Sequence, residues 1–164
     1  MSFLLINPRL GHYFVTTRNG DVIPVTPLSA PIVTDNYIEN WAALQAQTAF
    51  TLDFVKYNQE LSSLQPSFTA RGWQQFTAAL AKANITDQLK SEKLVSSAVV
   101  TSTPVITKKG VFNGAYSWTV KVPMLVSFVS ASAHTKKNFD VTLILRRVPV
   151  MQAKHGIEID YFMS

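Results

Sequence analysis

The chain has 164 residues, the size of one domain, and 47% of them are hydrophobic, enough to build a core. Only 15% are charged, against roughly 25% in an average soluble protein. The chain has no cysteine, which excludes disulfides, thiolate metal sites and a cysteine nucleophile. Ten Phe, five Tyr and three Trp argue against a disordered chain.

The N-terminal residues carry a short apolar run at positions 3–6. It is too short for a membrane span or a signal-peptide core. We interpret residues 1–11 either as the end of a membrane anchor truncated upstream or as a disordered tail. Residues 12–164 are then a single domain.

The first predicted element is a β-hairpin, residues 13–17 and 22–26 around Asn19-Gly20, a strong two-residue turn signal. A connector follows, in which three prolines lie too close together for a helix.

A long helix then begins, capped by Thr34 or Asp35, and its pattern continues to about residue 64, with a kink or a break near 48–51. Spacings of three and four predict one buried stripe, comprising Ile38, Trp41, Leu44, Thr48, Leu52 and Val55.

Two shorter helices are predicted next. Pro66 ends the long helix, and Thr69 caps a second one. The buried face of the second helix is predicted to consist of Trp73, Phe76, Leu80 and Ala83. A third helix covers residues 86 to about 93.

From residue 94 the hydrophobic period changes to two, which predicts strands at 94–105, 116–130, 139–148 and 156–162. In the second of these, one face is apolar throughout and the other is only partly polar. Pro123 lacks an amide donor, so it belongs at a bulge or on an unpaired side of the ladder. Helices followed by antiparallel strands predict an α+β fold, with helices packed on a curved sheet of about four strands.

The positive charge is concentrated in the second half of the chain. Residues 1–68 hold three basic and five acidic side chains, whereas residues 69–164 hold twelve basic and five acidic. Basic pairs lie near predicted strand ends, at 108–109, 136–137 and 146–147. They fit solvated loop tips and protected edge strands, and they also fit an acidic protein, lipid headgroups or nucleic acid.

Several kinds of catalytic motif are absent from the sequence. There is no glycine-rich phosphate loop and no Gly-x-Ser-x-Gly elbow. His12, His134 and His155 lie far apart, without ligand spacing, so we expect no metal site. The aromatic residues fall on predicted core stripes and are not interleaved with basic residues, which favours a structural role over base stacking.

One pair of residues leaves an alternative open. Asp53 and Tyr57 are four residues apart, so a helix would place them on one face, where a carboxylate base and a tyrosine donor could act on a small ligand. The competing interpretation is a solvent-facing aspartate beside an amphipathic tyrosine at the edge of the core.

The order of several short segments resembles the periplasmic domain of the IcmL family, also called DotI. The similarity extends from about residue 12 to 162. The segments that carry it are YFVTT at 13–17, GDVIPVTPL at 20–28, NWA at 40–42, FTLDFVKY at 50–57, FTARGW at 68–73, GVFNGAYSW at 110–118, PMLV at 123–126, RVP at 147–149 and GI at 156–157.

The resemblance implies a nuclear transport factor 2-like fold, similar to that of the eighth subunit of the VirB system. It implies a non-enzymatic assembly subunit of a type IVB secretion or conjugation system, whose conjugation counterpart is the TraM protein of IncI-type plasmids. The implied location is the periplasmic face of the inner membrane, with an N-terminal membrane helix that this chain lacks. Implied partners are further copies, a DotJ-like sister subunit and other channel components. No cofactor, metal, catalytic residue or nucleic-acid contact is implied.

Overall fold

The computed structural model describes the backbone of residues 13–16 and 22–25 and all atoms of residues 26–164. The described chain begins with a two-stranded antiparallel hairpin, β1 and β2. A helical segment follows, and then a five-stranded antiparallel sheet. The predicted anchor or tail at residues 1–11 and the Asn19-Gly20 turn lie outside the described residues. The helices are α1 (Asp35–Ala49), α2 (Tyr57–Ser62), α3 (Ala70–Lys82) and α4 (Ile85–Glu92), and the strands are β1 (Tyr13–Thr16), β2 (Val22–Val25), β3 (Val95–Val100), β4 (Val105–Phe112), β5 (Ala115–Val129), β6 (His134–Arg147) and β7 (Ile157–Met163).

The sheet is organised around β5, which has neighbours on both sides. On one side it pairs with β4 along its first half and with β3 along its second. On the other side it pairs with β6 from Ser117 to Val129. Strand β7 then pairs with the second half of β6 only, between Thr142 and Arg147. The predicted α+β class is confirmed, with five strands in the main sheet.

Strand β4 was not predicted as a separate strand. The sequence interpretation placed one strand at 94–105, whereas the structure ends β3 at Val100 and begins β4 at Val105. Pro123 lies opposite this break, between Met124, which pairs with Val100, and Lys121, which pairs with Val105. Its missing N–H is therefore at a position without a strand partner on that side, as predicted.

Alternating side chains of the strands form an inner face that packs against the helices. The β5 part of this face runs from Trp118 to Val126, and the adjoining positions of β6 and β7 are fully buried as well. Trp118 is the largest fully buried side chain. Because this face and the helices exclude water from one another, their apolar area is the main source of stability.

Helix α1 begins as predicted and packs differently from the prediction. Thr34 caps it, because its Oγ1 accepts a hydrogen bond from the Tyr37 N–H at 3.1 Å. The predicted stripe is confirmed at Ile38 and at Leu52, which lies just after the helix, and Trp41 is half-buried. It is wrong at Leu44, which is 57% exposed, at Thr48, which is exposed, and at Val55, which is 73% exposed. The buried face consists of Ile38, Ala42, Ala46 and Ala49.

The predicted interruption after α1 is confirmed. The helix ends at Ala49, and Leu52 and Ser96 exchange backbone hydrogen bonds at 3.2 and 2.8 Å. An extended segment therefore protects part of the edge of β3 before α2 begins.

Helix α3 lies very close to β7. Thr69 caps it by accepting from the Gly72 N–H at 3.0 Å, as predicted, and Phe76 is buried. The Thr69 N–H donates to the Ile159 carbonyl at 2.9 Å, so the start of the helix is tied to the strand. A Cβ at Gly72 would lie 2.3 Å from the Ile159 carbonyl oxygen. This position therefore requires a glycine although it is in a helix.

Arg147 closes one end of the sheet. It was predicted to belong to a solvated basic pair, and that prediction is wrong, because only 2% of it is exposed. Its guanidinium donates hydrogen bonds to four carbonyl oxygens, and burial lowers its pKa from the ordinary value. The acceptors are the carbonyls of Thr26 (3.3 Å), Ala30 (3.0 Å), Val148 (2.6 Å) and Gly156 (2.9 Å). One side chain thus joins the connector after β2 to the β6–β7 loop.

The close approach of α3 and β7 predicts the effect of Gly72→Ala. Helix propensity alone would stabilise the helix by about 1 kcal/mol. The clash with the Ile159 carbonyl should outweigh this gain and destabilise the domain by about 2 kcal/mol or more. Urea unfolding measures the change, with Gln74→Ala on the exposed side of α3 as the control. A Gly72→Ala protein at least as stable as the parent would contradict the packing described.

The Arg147 contacts predict a loss of stability in Arg147→Lys. Lysine cannot reproduce a planar fork of donors, so several carbonyls would lose their partner. We expect a loss of about 2–4 kcal/mol in the free energy of unfolding. The matched control is Arg146→Lys, at a half-buried residue that donates to the carbonyls of Phe112 and Asn113; it should cost less than about 1 kcal/mol. Equal losses in the two variants would show that burial of Arg147 is not important for stability.

Candidate interaction surface

The side of the sheet opposite the helices is not covered by any described part of the chain. We call it the outer face. It is formed by the strand residues that alternate with the buried ones. Every β5 residue on it is half-buried or exposed, whereas the alternate residues from Trp118 to Val126 are buried. The sequence had indicated that this face of β5 is only partly polar, and the structure shows which residues lie beside it.

A cluster of apolar side chains occupies the part of the outer face formed by β3, β5 and the start of β4. Val99 and Val105 are each 56% exposed, and Val95 and Val129 are each 42% exposed. Val95 is paired with Val129, and Val99 is paired with Leu125. We call this cluster the outer patch; it consists of Val95, Val99, Val105, Pro123, Leu125 and Val129.

The outer patch is contiguous because of the strand register. Directly paired residues lie about 5 Å apart, and successive residues on one face of a strand lie about 7 Å apart. Residues 123–129 of β5 therefore span about 20 Å. Single exposed apolar residues are normal on a protein surface, whereas a contiguous patch indicates a contact with another molecule.

Ser127 lies within this surface. It pairs with Ser97 of β3 on one side and with Lys136 of β6 on the other. Small hydroxyl side chains between apolar ones keep the surface flat, and Lys136, exposed on β6, adds positive charge at its margin. A flat apolar centre with a polar margin is the usual anatomy of a protein–protein interface.

A second surface feature lies between the start of α1 and β4, next to the outer patch, with which it shares Val105. It is a groove of about 540 Å³ lined by Asp35, Glu39 and residues 103–109. Lys109 Nζ donates to Asp35 Oδ2 at 2.6 Å, and this hydrogen bond raises the pKa of Lys109 from its ordinary value. Charged side chains of both signs and hydroxyl side chains make up most of the lining, with only Pro104, Val105 and Ile106 apolar, so the groove differs from a typical small-ligand site, whose walls are predominantly apolar.

The structure separates Asp53 from the helix that was predicted to hold it. Tyr57 is the first residue of α2, whereas Asp53 lies in the turn before it, so the two do not share a helix face. Asp53 Oδ1 accepts from the Val55 N–H at 2.7 Å, and its own N–H donates to Glu60 Oε1 at 3.2 Å. These contacts give Asp53 a structural role in the turn. The geometric basis for the carboxylate–tyrosine pair is therefore wrong.

The histidines that the structure describes lie in different places. His134 is exposed at the start of β6, and the ring of His155 lies 5.4 Å from that of Tyr37. His12 is outside the described residues. Among residues 26–164, no three side chains of the His, Asp or Glu type are grouped as metal ligands would be.

None of the helices that the structure describes is both long and apolar enough to cross a membrane.

Comparison with known proteins decides the family. A family model described as a type IVb secretion system inner-membrane complex component, DotI/IcmL, matches residues 1–164. The chain belongs to the DotI/IcmL family. No curated protein sequence matches it.

Solved structures of similar proteins have the same fold. The periplasmic domain of DotI is 43% identical and superposes with a TM-score of 0.79, over 82% of this chain and 96% of that one. A periplasmic fragment of TraM is 27% identical, with a TM-score of 0.74, over 80% and 97% of the two chains. The family resemblance in the sequence is thereby confirmed.

A more distant structure extends the likeness at the level of fold. CagV, a VirB8 homologue from the type IV secretion system of Helicobacter pylori, is 8% identical and superposes with a TM-score of 0.57, over 77% of this chain and 94% of that one. VirB8-like folds are of the nuclear transport factor 2-like type, so the predicted fold class is confirmed.

Glu158 is a buried acid at the margin of the outer face. It pairs with Arg146 in the β6–β7 ladder, and only 5% of it is exposed. Burial raises the pKa of its carboxyl above the ordinary value, and a hydrogen bond from Gln152 Nε2 opposes part of this shift. Ionised Glu158 is therefore unfavourable in the folded domain at neutral pH.

This gives a pH-dependent prediction for Glu158→Gln. A raised folded pKa means that the folded state binds more protons than the unfolded state, so the carboxyl lowers stability as pH rises through that pKa. Glutamine keeps the oxygen acceptor and removes the charge. It should stabilise the domain at about pH 7.5, and the gain should vanish below about pH 4, where glutamate is protonated in both states. Urea midpoints at the two pH values measure this.

The control for Glu158→Gln is Glu92→Gln, at an exposed position in the last turn of α4. It removes the same charge without relieving burial. A gain from Glu158→Gln that is the same at both pH values would contradict the electrostatic explanation.

Proposed function

We propose that this chain is a non-enzymatic assembly subunit of a type IVB secretion or conjugation system, acting in the periplasmic part of the inner-membrane complex. The observation that carries the proposal is the outer patch, an apolar surface that the described chain leaves uncovered. It occurs in a member of a family of inner-membrane complex components. A subunit of a complex needs an apolar surface for contact with its partner. A protein that stays monomeric has no use for such a surface, which makes it more prone to aggregate.

The proposed location is the periplasmic face of the inner membrane. The matching structure of the periplasmic domain of DotI supports this location. The proposed partners are further copies of the chain, a DotJ-like sister subunit and other components of the channel. We expect no direct contact with nucleic acid.

The outer patch is proposed as the contact that joins subunits. Its half-buried centre, around Leu125 and Ser127, would lose its remaining water on contact, and the serine hydroxyls would not obstruct a flat partner surface. The low charged fraction of the chain supports this use, because a charge at the centre of an interface would have to be desolvated.

The test of this surface is Ser127→Glu. The glutamate would point into solvent in the free domain, so the free energy of unfolding should change by less than about 0.5 kcal/mol. In an interface the carboxylate would be desolvated without a partner, so association should weaken by about tenfold or more. Urea unfolding measures the first effect. Light scattering of the domain and the size of complexes extracted from membranes measure the second.

The matched control is Ser91→Glu, which introduces the same charge at an exposed position of α4, on the helical side of the molecule. It should assemble like the parent. If Ser127→Glu also assembles like the parent, the outer patch is not the subunit contact. If the Ser127→Glu protein does not fold, Ser127→Lys and Ser97→Glu take its place in the test, because each introduces a charge on the same surface.

A further inference from the structure

The first half of β6 is an open sheet edge. Strand β7 stops opposite Thr142, so residues 134–140 pair with β5 on one side and have no strand partner on the other within the described chain. Every residue of this stretch is exposed except Phe139, which is half-buried. The open edge is about 20 Å long.

The hydrogen-bonding groups on this edge can be assigned from the hairpin between β5 and β6. The Ser130 N–H donates to the Ala133 carbonyl at 2.8 Å, which makes these two residues a hydrogen-bonded pair. Antiparallel ladders alternate, so the next β6 residue is a non-hydrogen-bonded position and its backbone groups point away from β5. The β6 residues with outward N–H and C=O groups are therefore His134, Lys136, Asn138 and Asp140.

Residues 134–140 carry two lysines and one aspartate, Asp140, so the net charge of the edge is positive. Lys136 lies on the outer-face side of the strand, whereas Lys137 lies on the inner side, with its Nζ 5.4 Å from the centre of the Phe139 ring. In the described part of the chain, neither lysine has a carboxylate within 4.0 Å. Lysines on an edge discourage pairing with a like edge, because two such strands would bring four ammonium groups together. They favour an acidic strand for the same electrostatic reason.

We propose that residues 134–140 of β6 are a strand-addition site for an extended acidic segment of a partner protein. The segment would lie antiparallel to β6 and collinear with β7, and the outward backbone groups of β6 would provide its main-chain hydrogen bonds. This edge adjoins the outer patch, whose margin includes Lys136, but the inference rests on the backbone groups of β6 and does not depend on the assembly proposed for that patch.

The register of the edge specifies the pattern of side chains in the segment. The added strand runs in the direction of β7, so it passes Asp140 first and then Phe139, with Lys137 two residues after Phe139 and Lys136 in the next position. An apolar residue would pack on Phe139, and acidic residues would face the two lysines. The recognised pattern is an apolar residue, any residue, and then two acidic residues.

The probe is a nine-residue peptide with blocked ends, in which one Phe is followed two and three residues later by Glu, in a background of Thr and Val. Its binding to the purified domain is followed by the amide NMR signals of β6. We expect the signals of Lys136, Asn138 and Asp140 to shift and their amide hydrogens to exchange more slowly. A peptide with Lys in place of both Glu residues should bind about tenfold more weakly.

Charge reversal of the edge tests the recognition itself. The variant Lys136→Glu/Lys137→Glu should reverse the preference, so that the Lys peptide binds more tightly than the Glu peptide. The control Lys82→Glu/Lys90→Glu changes net charge by the same amount at exposed positions of α3 and α4, and should keep the preference of the parent. Because the edge lysines are exposed, both variants should fold, and their far-UV spectra and urea midpoints verify this.

Three outcomes would overturn the proposal. One is the absence of any shift of the β6 amides at millimolar peptide. Another is equal binding of the Glu and Lys peptides. The third is a shift of the same amides with protein concentration in the absence of peptide, which would make a second copy of the chain the occupant of the edge.

Discussion

The packing of an alanine-lined helix against the inner face of one sheet is the contact on which the rest of the structure depends. Ala42, Ala46 and Ala49 are almost completely buried, and they place α1 directly over β5 and β3. Small side chains allow this close approach, and the large ones come from the sheet, with Trp118 the largest. Gly72 of α3 serves the same purpose against β7.

Helices α1 and α3 both pack on the same side of the sheet. The described chain has no second helical layer, so alternate residues of β3, β5 and β6 face outward without cover. In an isolated protein such a face is normally polar. Here it carries the outer patch, and the family to which the chain belongs consists of components of a complex. The proposed assembly role gives the uncovered face and the family membership one explanation, in which a partner would supply the missing layer.

The open edge of β6 follows from a different feature, the lengths of the strands. Strand β6 has 14 residues and β7 has 7, so half of β6 extends past its neighbour. Lysines at 136 and 137 discourage this edge from pairing with the same edge of a second copy of the chain. The molecule thus presents two unlike surfaces: a flat apolar face and a basic edge with free backbone groups. A subunit inside a larger assembly can use both at once.

Much of the fold could be predicted from local signals in the sequence. Thr34 and Thr69 cap helices as expected, and the change of period at residue 94 marks the start of the sheet. Strand β4 was missed because it is an edge strand with a bulge at Thr107, so its alternation is weak. The buried stripe of α1 was misassigned because the pattern was read from large side chains, whereas alanines make the contact.

The candidate surface could be predicted only in part. Alternation along β5 shows that Leu125 and Ser127 share a face, but it does not show which face the helices cover. That depends on long-range packing between residues 35–82 and the strands. The burial of Arg147 likewise depends on two connectors that meet only in the folded chain. The pairing of Asp53 with Tyr57 failed for a local reason, because the helix does not begin until Tyr57.

The most direct test of the central claim is the accessibility of the outer patch in the assembled complex. The chain has no cysteine, so Val99→Cys provides a single reactive group at a position that is 56% exposed in the isolated domain. Its rate of reaction with a maleimide would be compared between purified domain and bacterial membranes, with Ser91→Cys on α4 as the reference. The account predicts rapid labelling of Val99→Cys in the domain and strong protection in the membrane complex, with no change at the reference position. Equal labelling of Val99→Cys in both preparations would contradict it.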